Sequence, residues 1–341
     1  MLLLLFFLTI IISYVGASLA EILFLKFSLF IDNPDDRSVH QYPIPSAGGL
    51  SIIAAFILYM IFLVMIYPDD NISYIILLIS VTPVIVIGVI DDLKKIGVYQ
   101  RLFVHAFSAI VIVYYFQISN NFFNMDFQEQ SSYMIILVSI ILSMWLMNLY
   151  NFMDGVDGYA VTQSVFVALS ASLIAYISDP SSHIYMYLLG FGAANIGFLI
   201  RNWHPAKIFM GDTGSVTSGC IFSFFIFYSG SESVISIYTW LILLSVFISD
   251  STYTLFVRIV TKKNITEPHL THAFHIITKL KESQLFTVKV LIFINMLWVL
   301  PMAILSMIYS NYHIIITCLV YIPILLYLVK IGAGLEDYQK I

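Results

Sequence analysis

An all-α fold that threads a membrane many times is what this sequence predicts, and three observations carry that expectation. Hydrophobic residues make up 60% of the chain and charged ones only 10%, with a mean hydropathy of +0.94. Apolar runs recur from end to end, each near the ~20 residues a helix needs to cross ~30 Å of hydrocarbon. Lysine and arginine fall on one set of alternating connections and are missing from the other.

Taken in order, the runs place eleven spans at about 2–26, 47–67, 72–90, 102–116, 133–150, 159–178, 184–200, 216–229, 234–258, 286–308 and 312–330. The first could pass for a signal peptide, since small residues gather at Ala17, Ser18 and Ala20. It lacks a positive leading segment, and removing it would invert the parity that sorts the charges, so it reads as an uncleaved span. The connections then alternate. One set comprises 31–46, 91–101, 151–158, 201–215, 259–285 and the tail after 330. The other comprises 68–71, 117–132, 179–183, 230–233 and 309–311. All fifteen Lys and Arg lie in the first set or in a span close to it, Lys26 and Lys289 being the least peripheral. The positive-inside rule makes that set cytoplasmic, with the N-terminus outside and the C-terminus inside.

Composition also closes off other classes. A net charge of −5 offers no basic surface for nucleic acid. Cys220 and Cys318 sit in apolar runs and read as free thiols. No repeat or long linker divides the chain, so residues 1–341 form one transmembrane domain whose cytoplasmic loops carry the chemistry.

The first loop joins Asp32 to Gly49. Pro43 and Pro45 stiffen it, and Arg37 and His40 are donors suited to an anion, although an ordinary interhelical turn would read similarly. The second opens with Asp91 and Asp92 at an apolar helix end, a costly pair unless it is used, with Lys94 and Lys95 behind it as a screen. The third is the densest. Asn148, Asn151, Asp154 and Asp157 recur every third residue, which keeps them near one helix edge, and Gly155 and Gly158 loosen the backbone around them. It is a poor calcium loop, lacking the downstream bidentate Glu.

The fourth loop carries Lys207 and ends in Gly211-Asp212-Thr213-Gly214-Ser215. That turn offers a carboxylate for a cation and a hydroxyl and backbone N–H groups for phosphate, or a plain helix start. The fifth holds Glu267, His269, His272 and His275, a spacing compatible with zinc; anion binding is the preferred reading, because the other loops suit phosphate and a hard cation. His105, His183 and His313 read as structural.

These motifs, in this order, resemble the polyprenyl-phosphate N-acetylhexosamine-1-phosphate transferases of glycosyltransferase family 4. They are the Asp-Asp pair at 91–92, N-x-x-N-x-x-D-G-x-D-G at 148–158, G-D-x-G-S at 211–215 and H-x-x-H at 269–272. The loop from Asp32 to Pro45 and the run from Glu267 to His272 look most like the O-antigen-initiating branch. The likeness covers about residues 32–275 and implies an all-α polytopic enzyme of the bacterial inner membrane, with its site on the cytoplasmic face.

The resemblance further implies Mg²⁺, or Mn²⁺ in its place, held by Asp212 and Asp92. It implies Asn151, Asp154 and Asp157 around the nucleotide sugar, His269 and His272 near the diphosphate, and supporting contacts from Arg37, His40, Asn148, Lys207, Gly211 and Ser215. Departures occur at Ile44, where the family often has Thr, at Ser46-Ala47 for Arg-Gly, at Tyr159 for Leu, and at Leu270 for Arg.

The implied reaction moves an N-acetylhexosamine 1-phosphate from a UDP-sugar to undecaprenyl phosphate, releasing UMP and starting a lipid-linked surface glycan. A 6-deoxy sugar such as FucNAc or QuiNAc suits the branch, with GlcNAc or GalNAc behind it. One diphosphate bond replaces another, so positioning and charge neutralisation matter most. Asp91 either deprotonates the lipid phosphate or only positions it. The acceptor is expected to enter from the bilayer through a groove opening near Asp91 and Asp92. A secondary transporter is the rival class, yet the spans hold almost no acids apart from Glu21 and Asp250. The oligomeric state is open and compatible with a homodimer.

Overall fold

Within hydrocarbon a chain must satisfy its own backbone hydrogen bonds, and apolar runs of this length do so as helices. Residues 1–34, 42–68, 71–119, 129–264 and 269–335 are described in the structure, a computed structural model. Fourteen α-helices follow one another along these segments. They are α1 (Leu2–Phe27), α2 (Gly49–Ile66), α3 (Asn71–Leu93), α4 (Val98–Ser119), α5 (Glu129–Phe152), α6 (Tyr159–Ser178) and α7 (Ile184–Asn202). Then come α8 (Gly211–Ser231), α9 (Ile237–Leu243), α10 (Ser245–Val260), α11 (Ala273–Lys281), α12 (Gln284–Ile294), α13 (Leu300–Ile308) and α14 (His313–Ile331). A two-residue antiparallel pair, β1 (Ile31–Asp32) against β2 (Ile44–Pro45), ties the ends of the first loop together.

The all-α polytopic expectation holds, with one adjustment to the count. Among the described residues nine helices are long and apolar enough to cross a membrane, and the bent pair α9–α10 makes a tenth. The eleventh expected span is α8, long enough but rich in Ser, Thr and Gly. Its environment explains the composition: α8 is packed by α2, α3, α4 and α5, and nearly all of it is buried. A helix shielded from lipid needs no apolar coat, and small residues let neighbours come close. A Cβ on Gly214 would stand 2.8 Å from Gly49 Cα, so α2 and α8 touch backbone to backbone.

Two polar features stabilise the bundle. Arg201 of α7 pairs with Glu21 of α1, which accounts for one of the two acids that the sequence places in spans. At Leu244 the chain turns by 75° between α9 and α10. There Gln163 Nε2 donates to the Leu243 carbonyl at 3.1 Å, and Asn295 Nδ2 donates to Gln163 Oε1 at 2.7 Å. Asn295 opens a π-helical turn, Asn295–Val299, between α12 and α13. This buried amide relay gives the break a partner inside the apolar core.

The loops expected to be long are shorter than the sequence suggests, because helices run into them. Asp91 and Asp92 lie in the last turn of α3, Asn151 near the end of α5, and Asp212 and Ser215 in the first turns of α8, while 259–285 contains α11. Alternating spans bring all these ends to one face of the bundle.

Candidate active site

Asp92 fixes the site's frame. Its Oδ1 accepts the Asp212 N–H at 2.9 Å, and its Oδ2 accepts the Thr213 N–H at 3.0 Å and the Thr213 hydroxyl at 2.5 Å. The end of α3 thus caps the start of α8, the stabilising arrangement for a carboxylate at a helix N-terminus. Gly211, at φ +69°, makes the turn. A Cβ there would meet Asp92 Oδ2 at 2.6 Å.

Asp212 projects from this mount. Its Oδ1 accepts Asn151 Nδ2 at 2.8 Å and its Oδ2 accepts Arg101 Nη1 at 2.9 Å. Arg101 Nη1 also stands 3.6 Å from Asp91 Oδ2, and Asp91 Oδ1 accepts the Ile96 N–H at 2.8 Å. Ser215 sits beneath, donating to the Gly211 carbonyl and receiving Asn151 at 3.3 Å.

A cavity of about 400 Å³ opens over these groups. Asp92, Asn151, Asp154, Asp157, Gly211 and Asp212 line it, joined by Asp32, Lys95, Leu270, His275 and Gln284. Burial and then the charges of Asp212, Asp92 and Asp157 push the Asp154 carboxyl up to about 8. With Asp32, five acids line the cavity against one lysine, Lys95. Asp157 is held differently: its Oδ2 takes His204 Nδ1 at 2.8 Å and the Ala206 N–H at 3.0 Å, while its own N–H donates to Gln284.

Several expected residues stand elsewhere. Asn148 turns into the bundle, donating to the Met144 carbonyl at 2.7 Å with His105 3.4 Å away, because a buried amide must find partners nearby. Lys207 is exposed and does not line the cavity, and Asp91 is shielded from it, only 3% exposed. Arg37, His40 and Glu267 lie outside the described residues.

The histidine at the cavity is not one of the two that the resemblance places near the diphosphate. His275 lines the cavity, its ring so close that a Cβ on Gly155 would stand 2.6 Å from Cε1. His272 is buried against Asp250, and His269 stacks on His272 with ring centroids 5.0 Å apart; neither lines the cavity. Burial lowers His269 to about 4 and His275 to about 3. Arg101, His204 and Gln284 were missed by sequence reading, and Lys95 was read only as a screen for the Asp91–Asp92 pair. Arg101 closes the Asp-Asp loop one turn inside α4, where it reads as a membrane-edge charge.

A second, apolar groove of about 430 Å³ runs among α10, α11, α12 and α14, lined by Ile277, Leu291, Phe293, Leu297 and Ile324 among others. Asp250 borders it rather than Asp91 or Asp92, the position expected for an apolar opening.

The sequence model for glycosyl transferase family 4 matches residues 74–230. The chain is 31% identical over 251 residues to the probable undecaprenyl-phosphate N-acetylglucosaminyl 1-phosphate transferase of Bacillus subtilis, covering 72% of this chain and 68% of that protein. It is 29% identical over 202 residues to the phospho-N-acetylmuramoyl-pentapeptide-transferase of a Wolbachia of Brugia malayi, covering 55% and 60%. Against the Fusobacterium nucleatum protein of the same name it is 31% identical over 213 residues, covering 52% and 57%. The chain therefore spans about three-fifths of the length of those two relatives.

Proposed function

The chain belongs to glycosyl transferase family 4, and from that premise we propose that it transfers a hexosamine 1-phosphate from a nucleotide sugar to undecaprenyl phosphate. The observation that carries the reading is the convergence of Asp92, Asn151, Asp154, Asp157 and Asp212 on one cavity at one face of a helical bundle. A water-borne diphosphate and a membrane-borne phosphate can meet only at such a rim.

The donor in this reading is a UDP-N-acetylhexosamine, and 6-deoxy sugars are included among its candidates. The product starts a lipid-linked surface glycan such as O-antigen. The site faces the cytoplasm from the inner membrane, in keeping with where Lys and Arg fall. An oxygen of the lipid phosphate forms a bond to the β-phosphorus as the bond to UMP breaks. A phosphate monoester is already largely ionised near neutrality, so the step needs no strong base. That suits Asp91, whose carboxylate is engaged by Arg101 and the Ile96 N–H and does not line the cavity. Asn151 and Arg101 orient Asp212, while Lys95 supplies positive charge at the cavity wall.

Mg²⁺, or Mn²⁺ in its place, fits the hard carboxylate oxygens of Asp212 and its crowded neighbour Asp154. Among the described residues no three acid or histidine groups stand as a ready cage. That suits a cation bound through one or two carboxylates and completed by phosphate and water. Asp92 would join it only in competition with the three hydrogen bonds that hold α8. When bound, the ion neutralises charge on the diphosphate.

The test is transfer by purified protein in vesicles containing undecaprenyl phosphate, against a panel of UDP-sugars, with UMP release and lipid-linked product measured together. Labelled UMP should also exchange into the active UDP-sugar. Uptake of solute into sealed vesicles without product or exchange would establish a transporter instead.

A further inference from the structure

Asp250 is a carboxylate inside a membrane-spanning helix, 3% exposed, and no step of the proposed transfer touches it. A charge in that position is costly unless it is tied to something. Its Oδ1 accepts the Ala273 N–H at 2.9 Å and the Thr254 hydroxyl at 3.1 Å, and its Oδ2 accepts the Phe274 N–H at 3.3 Å. His272 Nδ1 stands 3.4 Å from Oδ1. The carboxylate thus holds the first turn of α11 and faces, without a hydrogen bond, the ring of the histidine that precedes it. Two turns further along α10, Arg258 reaches Thr271 and donates to the Asn264 carbonyl at 2.7 Å. One face of α10 therefore anchors the descending segment at three levels, and the first turn of α11 is what delivers His275 to the cavity wall.

The geometry points to Asp250 as a positioning residue for the proposed transfer: it aims the histidine segment by clamping the start of α11, and its charge 3.4 Å from Nδ1 biases which ring nitrogen of His272 bears the proton. A carboxylate facing Nδ1 favours the proton there and leaves Nε2 free. Asn at 250 keeps the size but replaces one acceptor oxygen with a donor and removes the charge, so the clamp on two N–H groups cannot survive intact. Because the inference rests on the transfer reading, it is tested by a readout that needs no turnover as well as by kinetics.

With ¹⁵N-labelled histidine in detergent, the His272 ring signals are identified by their loss in His272→Gln. They should show Nδ1–H in the unaltered protein and move towards the Nε2–H form in Asp250→Asn. With the UDP-sugar that the unaltered protein turns over, Asp250→Asn should lower kcat roughly ten- to a hundredfold, the range for partners that orient a functional histidine. KM should stay within about threefold, since ground-state binding is not what the clamp supplies. Thr254→Val, which removes one donor to Asp250, should move both readouts the same way by less, and decides the matter if Asp250→Asn does not fold. Unchanged ring signals, or unchanged kcat with shifted signals, overturn the proposal. An unaltered protein that turns over no UDP-sugar overturns the transfer reading instead, while the ring signals still decide the contact.

Discussion

Arg101 of α4 reaches Asp212 of α8, its Nη1 donating to Oδ2 at 2.9 Å. The same nitrogen stands 3.6 Å from Asp91, so one guanidinium bridges carboxylates from α3 and α8. It is part of the charge balance that lets five acids line one cavity.

Arg101→Gln should therefore cost both function and stability. Losing one partner of a partly buried pair leaves two carboxylates underpaid in charge, at roughly 1–3 kcal/mol. Transfer should fall by more than tenfold, and the midpoint of thermal unfolding in detergent should drop by several degrees. A variant with unaltered melting and turnover would show that the bridge is incidental.

Asp92→Asn and Asp212→Asn should fail in different ways. Asp92 accepts three hydrogen bonds at the start of α8, so its amide variant should melt earlier, by about 1–2 kcal/mol of lost capping. Asp212 caps no backbone, and the weakening of its bond from Arg101 is offset by taking one charge out of the acid cluster, so Asp212→Asn should keep its elution profile and melt close to the unaltered protein while transfer disappears. Chelation by EDTA should copy the Asp212 phenotype, with Mg²⁺ or Mn²⁺ restoring activity. Full turnover in chelator removes the cation from the mechanism.

Gly155 and His275 should behave as one unit. A methyl at 155 meets the His275 ring at 2.6 Å, so Gly155→Ala must push that ring away from its place on the cavity wall. The single changes should each lower transfer, and the double variant Gly155→Ala/His275→Ala should lose less than their sum by about 1 kcal/mol or more, as contacting residues do. Additive losses would mean that the ring has another place to go without penalty.

Much of this was legible in the sequence because membranes restrict structure so severely. The helices, the face that gathers polar ends, and the Asn151, Asp154, Asp157 and Asp212 cluster follow from hydropathy, charge placement and motif spacing. What spacing could not show was direction. Asn148 shares the three-residue register with Asn151 yet points into the bundle, because steps of three drift around a helix of 3.6 residues per turn. Which histidine reaches the cavity was unreadable for a related reason: Asp250, far away in sequence, clamps the start of α11 and leaves His275 at the cavity wall. The span expected at 216–229 is α8, and its Ser, Thr and Gly content is tolerated because burial among helices relieves a span of the need to be apolar.

The crowding of acids also sets a dependence on pH. The Asp154 carboxyl lies at about 8 in the folded protein against an ordinary 3.8, through burial and then the charges of Asp212, Asp92 and Asp157. A group whose folded value is raised contributes stability that is whole below its unfolded value and lost as pH climbs through the folded one. In EDTA the melting point should therefore fall as pH rises from about 4 towards 8. Asp154→Asn cannot ionise, so it should flatten much of that slope and be the more stable form above pH 8. Mg²⁺ should flatten it too, because a cation beside the carboxylates favours their charged forms. Equal slopes in the unaltered protein and Asp154→Asn would show that the acid is already ionised well below neutrality and that the charges around it are balanced by some other group.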